Sequence, residues 1–180
     1  MRIVGGKYRH RLIAFPDDIH TRPTKDRIRE AIFSALGDIS ETVVLDLYAG
    51  SGAMGLEALS RGAKKAYFVD ISPLAVKAIK ENVTTLKLNE EEYQIIKDKD
   101  VSALESFKNQ KLKFDVVFLD PPYEEGEYQK IINLLLDYDL LANNAIIVIE
   151  ANRDVKLENI EYQKNKEYHY GEIQVCIYWR

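Results

Sequence analysis

The chain has too little cysteine and histidine for disulfide or metal chemistry to be expected. Cys176 is the single cysteine in 180 residues, so it excludes an intramolecular disulfide, and its apolar surroundings favour a core position over a nucleophilic role. The three histidines, His10, His20 and His169, are scattered without the spacing of metal ligands. We therefore expect no bound metal.

The chain also lacks a signal peptide, a membrane-length apolar run, internal repeats, low-complexity segments and an interdomain linker. Hydrophobic residues make up 46% and charged residues 30%, which is typical of a soluble globular protein. We expect a cytoplasmic protein with one domain over residues 1–180, in which residues 1–36 are an extension and residues 37–180 a catalytic core.

Positive charge is scarce except at the start of the chain. Residues 1–30 hold eight Lys or Arg against four acids, whereas the whole chain has a net charge of −4, so the remaining 150 residues carry −8. A basic arm on an acidic body predicts contact between the arm and a polyanion. The alternative is a solvated basic face.

The extension is predicted to contain a hairpin and a helix. Arg2–Val4 and Tyr8–Phe15 are extended segments around a Gly5-Gly6 turn. Thr24 is a candidate N-cap for a helix that ends at Gly37. Three cations of this region are free to face outward: Arg22, Lys25 and Arg29.

Beyond the extension, apolar strand patterns alternate with helical ones, which predicts an α/β fold with a mostly parallel sheet. The predicted strands are Val43–Tyr48, Lys65–Asp70, Tyr93–Ile96, Phe114–Leu119, Ala145–Ile149 and a final pair, Lys156–Tyr162 with Glu172–Trp179. The predicted helices are Met54–Arg61, Pro73–Leu86, Val101–Phe107 and Glu127–Tyr138. Ligands of such sheets bind at the carboxyl ends of the strands.

The glycine loop after the first strand has two interpretations. Gly50, Gly52 and Gly55 fit G-x-G-x-x-G, and Asp70 follows about 20 residues later, which is the dinucleotide fingerprint. Asp46 inside the strand would repel a pyrophosphate and suits a ligand with an ammonium or sulfonium group. The run from Leu45 to Gly52 resembles the cofactor motif of class I S-adenosylmethionine-dependent methyltransferases.

A second motif, Asp120-Pro121-Pro122-Tyr123, follows the fourth strand. Two prolines make the segment rigid and remove N–H donors, so Asp120 and the Pro121 carbonyl can accept hydrogen bonds from one exocyclic amine while Tyr123 stacks on its ring. Such contacts favour a pyramidal nitrogen whose lone pair can attack a methyl donor. The motif resembles that of enzymes which methylate adenine N6, cytosine N4 or guanine N2.

The leader resembles that of the RsmD family of bacterial 16S ribosomal RNA guanine-N2 methyltransferases. The matching segments are Arg2–Arg9, Thr21–Thr24 and Arg27–Phe33, and the match covers nearly the whole chain. The resemblance implies a Rossmann-like, seven-stranded class I methyltransferase sheet with its last strand antiparallel, S-adenosylmethionine as cofactor, and 16S rRNA within a small-subunit assembly as partner. One departure is His10, where a small residue, usually glycine, is expected.

The resemblance also implies roles for individual residues. The cofactor would be held by Asp46, Tyr48, Gly50, Gly52, Asp70, Asp100 and Val101, with Asp98 as the rival of Asp100 for the adenine. The base would be held by Asp120, Pro121 and Tyr123, and RNA phosphates by Arg9, Arg11, Arg22, Lys25 and Arg29. The alternatives are an adenine-N6 methyltransferase, a catalytically silent RNA-binding protein of the same fold, and a dehydrogenase.

Overall fold

The computed structural model describes residues 1–16, 24–121, 127–151, 157 and 161–180, and for residues 24, 25 and 127 the backbone alone. The helices are α1 (Thr24–Leu36), α2 (Ala53–Ser60), α3 (Pro73–Leu86), α4 (Asp100–Asn109) and α5 (Glu127–Asp137), with a short 3₁₀ turn at Glu90–Glu92. The strands are β1 (Val43–Leu47), β2 (Lys65–Asp70), β3 (Tyr93–Lys97), β4 (Phe114–Leu119), β5 (Leu141–Ala151), β6 (Lys164–Tyr170) and β7 (Ile173–Trp179). No helix in these ranges is long and apolar enough to cross a membrane.

The described strands form one seven-stranded sheet in the order β3-β2-β1-β4-β5-β7-β6. The first five strands along the chain pair in parallel, and β7 pairs antiparallel with both β5 and β6. The chain order reverses between β1 and β4, so a crevice forms where these two strands end. The predicted α/β fold class, with a mostly parallel seven-stranded sheet and an antiparallel last strand, is confirmed.

Side chains alternate between the two faces of the sheet, so the apolar residues of each strand pack in two separate cores. On one face, Val44, Val116 and Phe118 pack with α1, α2 and α3 through residues such as Phe33 and Ile79. On the other face, the core is formed with α4 and α5, and it includes Leu45, Val117, Phe107, Ile131 and Leu135. Because helices cover both faces of the sheet, the parallel strands are continuous apolar runs in the sequence.

The extension is docked onto the first of these faces by buried polar side chains. Glu57 in α2, which is fully buried, accepts the Val4 N–H at 2.8 Å. Asn82 in α3 pairs with the backbone of Ala14, accepting its N–H at 2.6 Å and donating to its carbonyl at 3.0 Å. Asn82 also donates to the Ser51 carbonyl of the glycine loop at 3.0 Å, so one side chain joins the extension to that loop.

The predicted hairpin of the extension is only partly present. Arg2 and Leu12 form a single antiparallel bridge, and residues 5–10 form turns instead of continuing the second strand from Tyr8. Tight docking explains this, because the Lys7 N–H donates to the Ser60 carbonyl at 2.7 Å. His10 has φ 70°, the left-handed conformation that favours glycine, which gives a physical reason for the expected glycine at this position.

The first strand of the final pair was predicted in the wrong place. The structure has β6 at Lys164–Tyr170, whereas the described residues of the predicted segment, 157, 161 and 162, are not in a strand. β6 lies at the sheet edge and is largely exposed, so it carries a weak apolar pattern. The other predicted strands and helices agree with the structure, with differences at their ends, the largest of them in β5.

Candidate active site

A cavity of about 560 Å³ lies at the carboxyl ends of β1, β2, β4 and β5. Its volume falls within the usual range of small-molecule sites. The described residues of its walls include Asp46, Tyr48, Gly50, Asp70, Asp98, Asp100, Asp120, Pro121 and Glu150. Residues of the extension and of α1, namely Met1, Phe15, Arg29 and Ile32, also line it. The glycine loop and the Asp120-Pro121 segment therefore face one continuous space.

The glycine loop begins with a sharp reversal of the backbone after β1. Tyr48 has φ 69° without being glycine, a conformation that costs energy and often occurs at functional sites. The N–H groups of Tyr48 and Ala49 both donate to the Val69 carbonyl at 3.0 Å, which fastens the reversal to β2. Gly50 follows with φ 54°, and a Cβ atom there would meet open space. Gly50 thus presents bare backbone to the cavity.

Gly52 and Gly55 do not line the cavity, and the structure gives them packing roles. A Cβ on Gly55 would lie 2.4 Å from Phe68 Cε1, and one on Gly52 would lie 3.2 Å from the same ring. Both glycines therefore let α2 approach β2 closely. The sequence-based assignment of Gly52 to direct cofactor binding stays a prediction.

Asp46 is a buried carboxylate that accepts a hydrogen bond from the backbone at the start of α2. Its side chain is 3% exposed, and Oδ2 accepts the Gly55 N–H at 2.9 Å. Burial raises the pKa of this carboxyl to about 7, opposed by the Gly55 hydrogen bond and reinforced by the nearby charges of Asp120 and Asp70. A cationic ligand in the cavity would compensate the buried charge.

Asp70 and Asp100 both hold loop backbone while lining the cavity. Asp70 accepts the Gly50 and Ser72 N–H groups, one on each oxygen, at 2.8 Å. Each oxygen has a second lone pair, so a ribose hydroxyl can still donate to it. Asp100 accepts the Tyr48 hydroxyl at 2.6 Å and the Val101 N–H at 2.7 Å, which ties α4 to the glycine loop.

Asp98 also lines the cavity, but its carboxylate is engaged differently. It accepts the Ser102 hydroxyl at 2.7 Å and the N–H of Lys99 at 2.8 Å. Asp100 is linked to the glycine loop and Asp98 is not, which favours Asp100 for the predicted adenine contact. Val101 is not among the lining residues, so its direct role stays a prediction.

Asp120 is exposed and Pro121 is buried at the point where β4 ends, and both line the cavity. The register of β1 and β4 pairs Asp46 with Phe118, so Asp120 lies two residues further along the same face. Tyr123, the predicted stacking residue, lies outside the described residues, as does Arg22 of the extension.

The prediction that Arg29 faces outward is wrong. This side chain is 3% exposed, and its guanidinium donates to Glu57 at 3.3 Å, to Asp26 at 2.9 Å and to the Arg2 carbonyl. An enclosed, paired guanidinium offers no free charge to an RNA phosphate. The helical pattern placed Arg29 on a polar face, but that face is covered by the extension.

The other predicted RNA contacts are either exposed or have side chains outside the described part of the chain. Arg9 and Arg11 are exposed. The Arg11 guanidinium donates a hydrogen bond of 3.0 Å to the carbonyl of Thr85 in α3. The side chain of Lys25 lies outside the described part. Three further exposed cations of the extension, Arg2, Lys7 and Arg27, were not chosen as RNA contacts from the sequence.

Glu150 also lines the cavity, near the end of β5, and was not predicted as a site residue. The signal was present, because an acid follows the predicted strand Ala145–Ile149 just as Asp120 follows β4. Among the described residues, no group of three or more His, Cys, Asp or Glu is arranged to hold a metal ion.

Comparison with known proteins gives concordant matches over almost the whole chain. The model of the family described as Conserved hypothetical protein 95 matches residues 1–179. The Ribosomal RNA small subunit methyltransferase D of Haemophilus influenzae is 37% identical over 87% of this chain and 81% of its own. The enzyme of the same name from Escherichia coli K12 is 33% identical over 100% of this chain and 90% of its own.

A solved structure shows the same fold. That of yhhF from Escherichia coli has a TM-score of 0.85 and 34% identity, and the match covers 100% of this chain and 97% of that one. The sheet order, the cavity at the strand ends and these matches agree with the predicted family and fold class. The chain belongs to the Conserved hypothetical protein 95 family, the RsmD family, whose curated relatives include the ribosomal RNA small subunit methyltransferases D.

Proposed function

We propose that this protein transfers a methyl group from S-adenosylmethionine to the exocyclic N2 amine of a guanine in small-subunit ribosomal RNA. The observation that carries the proposal is the single cavity that joins the glycine loop of β1 to Asp120 and Pro121 of β4. A methyl donor and a planar amine bound at these two places would lie in one enclosed space. Membership in a family of rRNA methyltransferases supports the same chemistry.

The walls fit this cofactor better than a dinucleotide. Among the described residues, six carboxylates line the cavity, against two cations, Arg29 and Lys99. A pyrophosphate would meet strong repulsion there, whereas the sulfonium and ammonium groups of S-adenosylmethionine carry positive charge. The open backbone at Gly50 gives the ligand close access to the loop.

The proposed cofactor contacts are the predicted residues, and Asp46, Gly50, Asp70 and Asp100 among them line the cavity. Asp46 and Gly50 would face its charged methionine part, Asp70 its ribose hydroxyls, and Asp100 its adenine. Tyr48 would act on the adenine side by fixing Asp100 through the hydroxyl hydrogen bond of 2.6 Å. When bound, S-adenosylmethionine supplies an electrophilic methyl group on a sulfonium and leaves as S-adenosylhomocysteine.

The chain's own part in catalysis would be positioning and hydrogen bonding. Asp120 and the Pro121 carbonyl would accept the two N–H bonds of the guanine amine, which favours a pyramidal nitrogen whose lone pair points at the methyl carbon. The nitrogen loses one proton as the new N–C bond forms. Exposed Asp120 would pass that proton to solvent. Tyr123 remains the proposed stacking partner of the base.

The extension would supply the electrostatic contacts to RNA. Arg9, Arg11, Lys7 and Arg27 are exposed on the described part of this basic segment, and Arg22 and Lys25 remain proposed contacts. We further propose that the target lies in a small-subunit assembly in the bacterial cytoplasm. The extension both lines the cavity through Met1 and Phe15 and carries these cations, so it would guide RNA toward the site.

Asp120→Ala tests the mechanism. We expect the variant to bind S-adenosylmethionine with wild-type affinity in calorimetry, because Asp120 lies on the base side, and to lose about 10²–10³-fold in kcat. Asp120→Asn, which keeps one acceptor oxygen, should lose less. Glu105→Gln, an exposed acid outside the cavity, is the matched control. Wild-type turnover by Asp120→Ala would remove Asp120 from the mechanism, and absence of turnover in the wild type would favour a silent RNA-binding protein.

A further inference from the structure

Glu150 and Asp120 lie side by side at the ends of neighbouring parallel strands. The register of β4 and β5 pairs Leu119, the last residue of β4, with Ile149, so Asp120 directly after β4 comes next to Glu150 of β5. Adjacent strands are about 4.8 Å apart, a separation that one planar ring can span with two hydrogen bonds. The cavity is lined by both carboxylates.

Both side chains belong to the same face of the sheet. Along β5, Val148 packs in the core under α1, α2 and α3, and Ile149 packs in the opposite core, so Glu150 returns to the face of Val148. Asp120 follows Phe118 on that face in the same way. The two carboxylates therefore open toward the part of the cavity that α1 and the extension cover.

Glu150 is held by rigid surroundings. It is still within β5, where it pairs with Val175 of β7, and its own carbonyl accepts the Tyr128 hydroxyl at 3.2 Å. Its side chain is half-buried. Because β5 is fixed between β4 and β7, the Glu150 carboxylate can hold a bound base in a defined position.

The edge of guanine that carries the N2 amine also carries a second donor, the N1–H. Adenine differs there, because its N1 is an acceptor beside the N6 amine. A carboxylate facing N1 accepts a hydrogen bond from guanine but meets the lone pair of adenine. Asp-Pro-Pro-Tyr chemistry alone permits either base, so the choice between them requires a further group.

We propose that Glu150 determines the specificity for guanine by accepting its N1–H, while Asp120 and the Pro121 carbonyl hold the N2 amine. This inference rests on the proposed function, since it needs a purine amine at Asp120. A hydrogen bond to a charged acceptor contributes enough to change binding about 10- to 100-fold. A site that places an acceptor opposite a hydrogen-bond donor of its substrate discriminates strongly against an analogue that lacks this donor.

The test uses 2-aminopurine, which keeps the 2-amine of guanine but has an unprotonated N1. The guanine that wild-type enzyme methylates in small-subunit rRNA is first mapped by mass spectrometry. The same RNA is then prepared with guanine or 2-aminopurine at that position, and kcat/KM is measured for wild type, Glu150→Gln and the control Glu105→Gln. Cofactor affinity of each variant is measured separately by calorimetry, which also reports whether the variant is folded.

We expect wild type and Glu105→Gln to prefer guanine over 2-aminopurine by at least about tenfold. Glu150→Gln should lose activity on guanine and gain relative activity on 2-aminopurine, because its amide can donate to N1, with unchanged cofactor affinity. An unchanged preference in Glu150→Gln would overturn the inference. Failure of wild type to methylate any guanine would instead overturn the proposed function.

Discussion

The affinity for S-adenosylmethionine is predicted to fall below pH 7 because of one buried carboxylate. Asp46 is 3% exposed and its pKa is raised to about 7, chiefly by burial. The cofactor is cationic, so it favours the ionised carboxylate. At a pH below 7 the protonated Asp46 must therefore release its proton before the ligand can bind well.

The size of the effect follows from the fraction of Asp46 that is ionised. If only the ionised form binds, the apparent dissociation constant is about twofold higher at pH 7 than at its plateau, about 10-fold higher at pH 6 and about 100-fold higher at pH 5. Above about pH 8 the carboxylate is almost fully ionised and contributes little further change.

Calorimetric titration from pH 5 to 8.5, in two buffers with different ionisation enthalpies, would measure both affinity and proton release. Asp46→Asn is the control, because the amide oxygen can still accept the Gly55 N–H but does not titrate. The amino group of the ligand titrates equally with both proteins. We expect the wild-type affinity to fall with acid and the variant to bind more weakly with a flatter profile. Parallel profiles for the two proteins would refute the role of Asp46.

The same pKa predicts a stability effect of definite sign. A carboxyl whose pKa rises from 3.8 in the unfolded chain to about 7 in the folded one binds its proton more tightly when folded. The contribution of Asp46 to the free energy of unfolding is therefore most favourable below pH 4, falls between pH 4 and pH 7, and then levels off. Asp46→Asn should be more stable than wild type at pH 8, by at most about 4 kcal/mol in urea unfolding.

Three further predictions concern the extension. Glu57→Ala removes the buried carboxylate that binds Arg29, Arg61 and the Val4 N–H, and it should lower the free energy of unfolding by about 3–5 kcal/mol in urea; a loss under 1 kcal/mol would contradict the buried network. His10→Gly should raise the melting temperature by about 2–4 °C, because a side chain at this left-handed backbone position costs about 1 kcal/mol and glycine removes that cost. A lower melting temperature would contradict backbone strain at His10. Reversing the charges of Arg9 and Arg11 should weaken rRNA binding and reduce its salt dependence without changing cofactor affinity, whereas equal affinity across salt would make this a solvated face.

Buried elements were predictable from the sequence because their patterns are local. β2 and β4 have the predicted bounds, since their apolar runs are bounded by turn or charged residues. Helix α3 begins as predicted. The Ser72 hydroxyl accepts the Ala75 N–H at 3.4 Å, and Pro73 starts the first turn. The placement of Asp70, Asp100 and Asp120 at one edge was also predictable, because parallel strands bring their carboxyl ends to the same edge of the sheet.

The failures all depend on contacts between distant segments. The pattern around Arg29 is that of a surface helix, and only the docking of the extension and of Glu57, 28 positions away, encloses it. β6 is an exposed edge strand without a strong apolar alternation. Glu150 was missed although an acid follows its predicted strand, and its position beside Asp120 depends on the register between the distant segments β4 and β5.

The most direct test of the central claim is identification of the methylated nucleoside. Labelled S-adenosylmethionine would be offered with the wild-type protein to unmethylated small ribosomal subunits, naked 16S rRNA and duplex DNA, followed by digestion and mass spectrometry. We expect N2-methylguanosine from a ribosomal substrate. N6-methyladenine in DNA would contradict the proposed substrate, and the absence of label with the cofactor still bound would contradict the proposed activity itself.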